Sequence, residues 1–262
     1  MTSPPLRVVT AVASVTFREI LRDKILYNTL VISVLLFGVG VLASKLTFVE
    51  PGRVVLDFGL VGVAVSSGLL GTMVGAGMLA REFERRTILV ALTRPITRLQ
   101  FILGKFTGLK WVLIMNSLLL SAGYLLVLRY LGAGASGFTP TLAWALVLLA
   151  LQSLVLAALA VFFSTFSTTS LSVVMTLGMY FVGINCSQIR MLALKQDSAP
   201  LRWLLDGVAA AVPNFEYFNL GLKVTYGLPV SGRFIGLGLA YGSAWILLLL
   251  VLSGLLLERR ES

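Results

Sequence analysis

The chain contains 262 residues, of which 58% are hydrophobic and only 12% are charged. Soluble domains carry about twice that charged fraction, so these proportions exclude an ordinary soluble enzyme domain. The formal charge is +10, but the basic residues lie at the ends of apolar runs, a distribution that argues against nucleic-acid binding. The chain has one cysteine and no histidine, so the sequence predicts no internal disulfide and no built-in metal or haem site.

The first element is an amphipathic stretch from Leu6 to Lys24. Apolar residues recur at spacings of three and four along one side, among them Ala13 and Ile20, whereas Arg18 marks the opposite side. This pattern predicts an interfacial helix at the membrane surface. Two roles remain open for it, namely tethering the basic end to lipid head groups and contacting a partner protein.

Uncharged runs of 20, 23, 18, 60 and 24 residues follow along the chain. An apolar helix of roughly 18 or more residues crosses the hydrocarbon core of a bilayer. The run of 60 residues contains turn-rich stretches at 131–140 and 164–170, so we divide it into two spans. The sequence thus predicts an integral membrane protein with six spans: Ile25–Ser44, Phe58–Ala80, Trp111–Leu128, Thr141–Phe163, Leu171–Ile189 and Phe234–Leu257.

Basic residues are distributed unevenly between the two sides of these spans. An even number of spans places both termini on one side, together with the segment 81–110, and these regions hold thirteen Arg and Lys residues. The short loops on the other side hold Lys45, Arg53 and Arg129. Because short cytoplasmic loops are enriched in Arg and Lys, we predict that both termini are cytoplasmic.

The second predicted span carries Ser67, Gly71 and Gly75 at a spacing of four residues. Small side chains at this spacing form a seam along which another helix approaches closely. We predict a packing seam here, and a dimer contact is the alternative interpretation.

The segment 190–232 lies between the fifth and sixth predicted spans and is predicted to be external. Its part from Pro200 to Val208 is typical of a short amphipathic helix with proline in the first turn, and a second helical piece runs from Phe215 to Tyr226. Both pieces have an apolar face, so we expect them to rest on the outer leaflet or to re-enter it. The residues that define these faces are Trp203 in the first piece and Phe215, Phe218 and Leu222 in the second.

The longest predicted cytoplasmic loop, Arg81–Lys105, mixes acidic and basic residues. Glu82 and Arg86 are spaced as a favourable pair four residues apart, which favours a helix, and Pro95 interrupts it. The charged start and apolar remainder indicate a helix on the membrane surface that presents its charges to a cytosolic partner. A solvated connector is the plainer interpretation, but it does not account for two glutamates among the arginines.

The same loop resembles the motif of the ABC-2 type permeases, the membrane subunits of ATP-driven exporters. After span two that family has roughly Glu-x-Glu-x-Gly-Thr-Leu, then Pro-[Ile/Val]-[Ser/Thr]-Arg, and then Leu-Gly-Lys. Arg86 stands where the family usually has Gly. The matching residues of this chain are Glu82, Glu84, Thr87, Ile88, Leu92, Pro95, Ile96, Thr97, Arg98, Leu103, Gly104 and Lys105. The layout is most similar to the single-domain bacterial branch that includes the nitrous-oxide-reductase maturation permease.

The resemblance implies that residues 1–262 form one all-α ABC-2 type transmembrane domain. This domain would have six transmembrane helices, an N-terminal interfacial helix, a cytoplasmic coupling helix between spans two and three, and short external helices, surface-lying or re-entrant, between spans five and six. The residues implied in coupling to an ATPase are Glu82, Glu84, Arg85, Arg86, Thr87, Pro95, Arg98 and Lys105.

The resemblance also implies the surroundings of the chain. The permease would lie in the bacterial inner membrane and pair with a second permease copy over two cytosolic ATPase subunits. Those subunits would bind ATP and Mg²⁺, whereas this chain would bind no cofactor and carry no catalytic residue. A periplasmic partner that receives mechanical force is a further option. Uncharged spans favour lipidic, amphiphilic or otherwise apolar cargo.

Two other functions remain open from the residues alone. An intramembrane lipid-modifying enzyme needs titratable or nucleophilic groups at depth, but no Asp or Glu falls within a predicted span and Cys186 has no evident base. An ion-coupled carrier usually shows intramembrane charge or an internal repeat, and the sequence shows neither. Copurification with a cytosolic ATPase would distinguish an exporter subunit from both.

Overall fold

The computed structural model describes residues 5–22, 24–46, 51–84, 98–130, 139–196 and 198–259. Every regular element in these ranges is helical, which confirms the predicted all-α fold. A 3-10 helix occupies Phe215–Phe218. The α-helices are α1 (Pro5–Leu21), α2 (Lys24–Leu46), α3 (Pro51–Glu84), α4 (Arg98–Tyr130), α5 (Pro140–Ser164), α6 (Thr169–Gly183), α7 (Cys186–Leu194), α8 (Ala199–Ala211), α9 (Gly221–Thr225) and α10 (Gly232–Arg259).

Five of the described helices, α2, α3, α4, α5 and α10, are long and apolar enough to cross a membrane. The pair α6 and α7 is a sixth candidate if it is counted as one bent span. With 34 and 33 residues, α3 and α4 are each about 50 Å long and exceed the ~30 Å hydrocarbon core. They therefore include residues that the sequence analysis assigned to loops: Arg53, Asp57, Lys105 and Lys110.

The fifth predicted span, Leu171–Ile189, is not one continuous helix. The helices α6 and α7 meet at an angle of 58°. At the break, the side-chain amide of Asn185 donates a hydrogen bond of 2.8 Å to the carbonyl of Phe181, and a Cβ added at Gly183 would overlap the carbonyl oxygen of Pro213. Local side-chain hydrogen bonds compete with the helix ladder, and the length of an apolar run does not report them.

The helix α3 packs against α2, α4 and α5, and its most extensive contact is with α5. A Cβ added at Gly71 would lie 2.7 Å from the carbonyl oxygen of Ser153, and one at Gly75 would lie 2.8 Å from the carbonyl oxygen of Ala157. Ser67 is buried on the same helix and donates to the carbonyl of Val63. The glycines of the predicted seam therefore lie against α5 within one protomer.

The helix α1 lies along the N-terminal half of α4. A Cβ added at Gly104 would lie 2.8 Å from the Cβ of Val12, and one at Gly108 would lie 2.6 Å from the carbonyl oxygen of Ala13. Ala13 and Ile20 are buried, whereas Arg18 is exposed, as the amphipathic pattern predicts. The first helix is therefore docked on the bundle.

Candidate functional site

The residues predicted to couple the chain to an ATPase lie where α3 ends and α4 begins. We call this end of the bundle the inner end, and the end that carries α8 and α9 the outer end. Glu82 and Glu84 belong to the last turn of α3, and Arg98 opens α4, but their side chains lie outside the described part of the chain. Four further predicted coupling residues lie outside the described residues altogether: Arg85, Arg86, Thr87 and Pro95.

Lys105, the last residue of the predicted coupling motif, lies about two turns inside α4 and is buried, with 7% of its surface exposed. Its ammonium donates a hydrogen bond of 3.4 Å to the carbonyl of Met78 in α3 and lies 5.2 Å from the ring centre of Phe101. A buried ammonium requires such partners because desolvation is costly. Lys105 therefore links α3 to α4, and its role in coupling to an ATPase stays a prediction.

The outer ends of α3 and α4 are also linked. Tyr124 of α4 is fully buried, and its hydroxyl donates a hydrogen bond of 3.0 Å to the carbonyl of Leu56 in α3. Its ring lies on Gly59, where an added Cβ would overlap it. The contact of Lys105 with Met78 near the inner end and that of Tyr124 with Leu56 near the outer end hold α3 and α4 together at two levels. We call this pair of helices the α3–α4 hairpin.

The predicted second external helix, Phe215 to Tyr226, is divided into the 3-10 helix Phe215–Phe218 and α9. Phe215 and Phe218 are 1% and 0% exposed, whereas Leu222 is 74% exposed, so these three residues do not share one face. The sequence-based expectation of a single apolar face directed at lipid is therefore wrong for this piece. The cause is that the two phenylalanines pack on other helices of the protein.

Aromatic contacts show where these two phenylalanines are anchored. The ring of Phe215 lies edge-on to that of Tyr180 in α6, with centroids 5.1 Å apart, and the ring of Phe218 lies 6.3 Å from that of Tyr241 in α10. The hydroxyl of Tyr241 accepts a hydrogen bond of 2.8 Å from the backbone amide of Asn214. The 3-10 helix thus fastens α6 to α10 at the outer end.

Glu216, between those phenylalanines, is bonded to the start of α7. Its carboxylate accepts hydrogen bonds from the backbone amide of Ser187, at 2.8 Å, and from the hydroxyl of the same residue. A carboxylate is favourable there because the first amides of a helix lack partners within it and carry partial positive charge. This contact fixes the position of the bend between α6 and α7 relative to the 3-10 helix.

Trp203 lies on α8, within the first predicted external helix, which the structure describes as Ala199–Ala211. It is 80% exposed, and Leu204 beside it is 63% exposed. Arg202 and Asp206 of the same helix approach within 4.0 Å of each other. The helix therefore presents apolar side chains to its surroundings at the outer end.

A contact between α3 and α9 joins the hairpin to this outer segment. The hydroxyl of Thr225 donates a hydrogen bond to the carboxylate of Asp57, and the guanidinium of Arg53 lies 5.0 Å from the ring centre of Tyr226. Next to Asp57, a cavity of about 690 Å³ extends between α3, α5, α6 and the outer helices. The sequence carries no signal for this site, because Asp57 directly precedes the second predicted span and is typical of a loop residue there.

Two other features were missed although the sequence carries a signal for one of them. Gly104 and Gly108 are four residues apart, the spacing of close helix contacts, and they receive α1. The contact of Gly59 with Tyr124 has no comparable signal, because a lone glycine and a lone tyrosine in apolar runs do not indicate each other.

The long apolar helices and their close glycine contacts define the class, a multi-pass helical membrane protein. A family model described as ABC-2 family transporter protein matches residues 10–262. The chain therefore belongs to the ABC-2 family of transporter proteins, as the motif at 82–105 predicted. No curated protein matches the chain. Membership makes it a membrane component of an ABC transporter, a component that is not itself catalytic and that works with an ABC ATPase.

Proposed function

We propose that this chain is the permease subunit of an exporter and couples ATP hydrolysis on a separate cytosolic subunit to movement at the outer end. Two permease copies sit over two ATPase subunits, which bind ATP and Mg²⁺. The complex lies in a bacterial inner membrane with both permease termini in the cytoplasm. Its output is transport of a substrate or force on an envelope partner.

The observation that carries the proposal is the double link within the α3–α4 hairpin. The ammonium of Lys105 lies 3.4 Å from the carbonyl oxygen of Met78 near the inner end, and the hydroxyl of Tyr124 lies 3.0 Å from the carbonyl oxygen of Leu56 near the outer end. The helix α3 ends and the helix α4 starts beside the predicted coupling segment 85–97. A displacement of that segment is therefore carried by a pair of helices that are held together at two levels.

The inner end contains a second element that would move with the hairpin. The backbone of α1 lies directly on α4, since an added Cβ at Gly108 would be 2.6 Å from the carbonyl oxygen of Ala13. Contacts without intervening side chains leave little room for sliding. The helix α1 therefore enlarges the surface of the permease that an ATPase subunit would contact and displace.

At the outer end, the hairpin reaches the outer segment through Asp57 and Thr225. That segment is tied in turn to α7 by Glu216 and to α10 by the hydrogen bond of Asn214 with Tyr241. These contacts support a route by which motion of α3 changes the arrangement of α6, α7 and α10.

The test removes both glutamates of the coupling motif. Glu82→Ala combined with Glu84→Ala is expected to insert normally but to lose its ATPase subunit during purification. Truncating one partner of an interfacial charge pair costs about 2–5 kcal/mol, which weakens binding roughly thirtyfold or more. The matched control, Glu258→Ala with Glu261→Ala, removes two acidic side chains from the C-terminal end and should retain the ATPase.

Three quantities are measured for each variant: the membrane level of the permease, the amount of copurified ATPase and the ATPase activity of the complex. A double variant at 82 and 84 that keeps full complex formation and activity would mean that this segment is only a basic connector. Equal losses in the control would mean that net charge, and not this segment, holds the ATPase.

A further inference from the structure

The cavity at the outer end has an apolar body and a polar rim. Its volume of about 690 Å³ lies in the range of small-molecule sites, about 300–1,000 Å³. Along α3 the wall passes from Asp57 to Val65, a rise of about 12 Å. The apolar side chains of this wall and of the facing α5 are Leu60, Val61, Ala64, Val65, Ala145 and Leu149.

Most polar groups of the lining already have partners. The Gln152 amide donates to the Tyr180 hydroxyl at 3.1 Å, deep in the cavity. Other occupied groups lie at the rim: Glu216 accepts from Ser187, Asn219 accepts from the amide of Gly221 at 2.9 Å, and the ammonium of Lys223 lies 4.0 Å from the ring centre of Phe234. Phe234 is not part of the cavity wall, so the charge of Lys223 is held at its margin.

Asp57 differs from these groups. Within the described part of the chain, the hydroxyl of Thr225 is the one hydrogen-bond donor to its carboxylate, and it binds Oδ1. Oδ2 therefore has acceptor capacity left, at the point where the polar rim meets the apolar wall. Hydrogen bonds between an ammonium and a carboxylate are shorter and stronger than those between neutral groups.

We propose that this cavity binds an amphiphile with an ammonium head and an alkyl chain. The head donates to Oδ2 of Asp57, and the chain lies along α3 from Leu60 to Val65. Glu216 adds a second negative charge to the rim, which disfavours an anionic head. The site belongs to a single protomer and needs no ATPase, so it stands independently of the proposed function.

The head group should decide the affinity. An alkyl chain that enters the cavity from a bilayer leaves one apolar environment for another, so it gains little hydrophobic free energy. The carboxylate of Asp57 supplies a charge-assisted hydrogen bond that the hydrocarbon of the bilayer cannot supply. Binding should therefore depend strongly on the charge of the head and weakly on chain length.

The test uses the full chain reconstituted in phosphatidylglycerol vesicles with an alkylammonium probe that carries a photoreactive diazirine in its chain. Mass spectrometry of the labelled peptides should locate the adducts on α3 at 60–65 and on α5 at 145–149. Asp57→Asn should lower this labelling at least about tenfold, equivalent to about 1.4 kcal/mol. Asp206→Asn is the matched control, because this carboxylate lies on α8 outside the cavity, and it should leave labelling unchanged.

A comparison in the wild-type protein needs no variant. With labelling on the exposed Leu247 and Leu248 of α10 as the reference for partition into the anionic vesicles, an alkyl sulfate probe of equal length should label the cavity far less than the ammonium probe. Equal labelling by both probes, or ammonium labelling no higher than on the exposed Leu247 and Leu248 of α10, would overturn the proposal. Addition of phosphatidylethanolamine distinguishes the source of the ligand: competition identifies a membrane lipid as the occupant, and undiminished labelling identifies a separate single-chain amphiphile.

Discussion

Tyr124 of α4 lies with its ring directly on the backbone of Gly59 in α3, and its hydroxyl donates to the carbonyl of Leu56 one turn away. Tyr124 is fully buried. The aromatic ring thus occupies the space that any side chain at position 59 would need. This contact closes the outer end of the α3–α4 hairpin.

Gly59→Ala is expected to destabilise the protein strongly, because the new methyl group meets a buried ring that has no room to move. Overpacking of a protein interior typically costs about 1–3 kcal/mol. Gly52→Ala is the matched control on the same helix: among the described residues beyond its own helix and chain neighbours, none has an atom within 4 Å of a Cβ at that position. Thermal unfolding in detergent should show a lower Tm for the first variant only. Equal Tm values would show that α3 and α4 separate easily at this level.

Gly71→Leu should likewise lower the Tm and the yield of folded protein. The side chain would have to displace the backbone of α5 at Ser153, which lies 2.7 Å from the position of the new Cβ. Gly178→Leu on α6 introduces the same side chain into open space and serves as the control. An unchanged melting temperature and yield for Gly71→Leu would contradict close packing of this seam.

Gly108→Val should detach α1 from the bundle, because β-branched atoms would meet the backbone of Ala13 and the side chain of Thr16. We expect trypsin to cleave after Arg18 faster than in the wild type, and the ATPase activity of the complex to fall. Gly38→Val, whose Cβ has open space around it, should change neither the rate of tryptic cleavage nor the ATPase activity. If cleavage at Arg18 stays as slow as in the wild type, α1 is held by contacts other than this one.

The spans were predictable because long uncharged runs leave few alternatives in a bilayer. The additional turns of α3 and α4 were not, because charged residues at the ends of a run are normally assigned to loops. Lys105 is tolerated inside a helix since the carbonyl of Met78 and the ring of Phe101 replace water around it. Such partners come from tertiary structure and leave no periodic signal.

The outer segment shows a second limit of sequence patterns. Apolar residues that face lipid and apolar residues that face protein have the same hydrophobicity, so periodicity does not distinguish them. The sequence pattern therefore assigns Phe215, Phe218 and Leu222 to one apolar face, although the first two are buried and the third is exposed. The hydrogen bond between Thr225 and Asp57 joins residues far apart in the sequence, so the sequence pattern could not predict it either.

The predicted topology can be tested by labelling in a Cys186→Ser background. Single cysteines at Ser136 and Ser198 should react with a membrane-impermeant maleimide added outside the cell. A cysteine at Thr93 should react only after the membrane is permeabilised, because the positive-inside rule predicts that this loop is cytoplasmic. Labelling of position 93 from outside in intact cells would reverse the proposed orientation.

The central claim is that the segment between α3 and α4 binds a cytosolic ATPase, and photo-crosslinking in intact membranes tests it most directly. A photoreactive phenylalanine analogue is placed at Thr87, within the predicted coupling segment, and in a second variant at Trp203, which is 80% exposed at the outer end. The account predicts that the analogue at Thr87 becomes crosslinked to a protein that mass spectrometry identifies, by the phosphate-binding loop in its sequence, as an ATPase. The analogue at Trp203 should give no crosslink to that protein. Absence of such an adduct at Thr87 in folded, inserted protein, or its appearance at Trp203, would contradict the account.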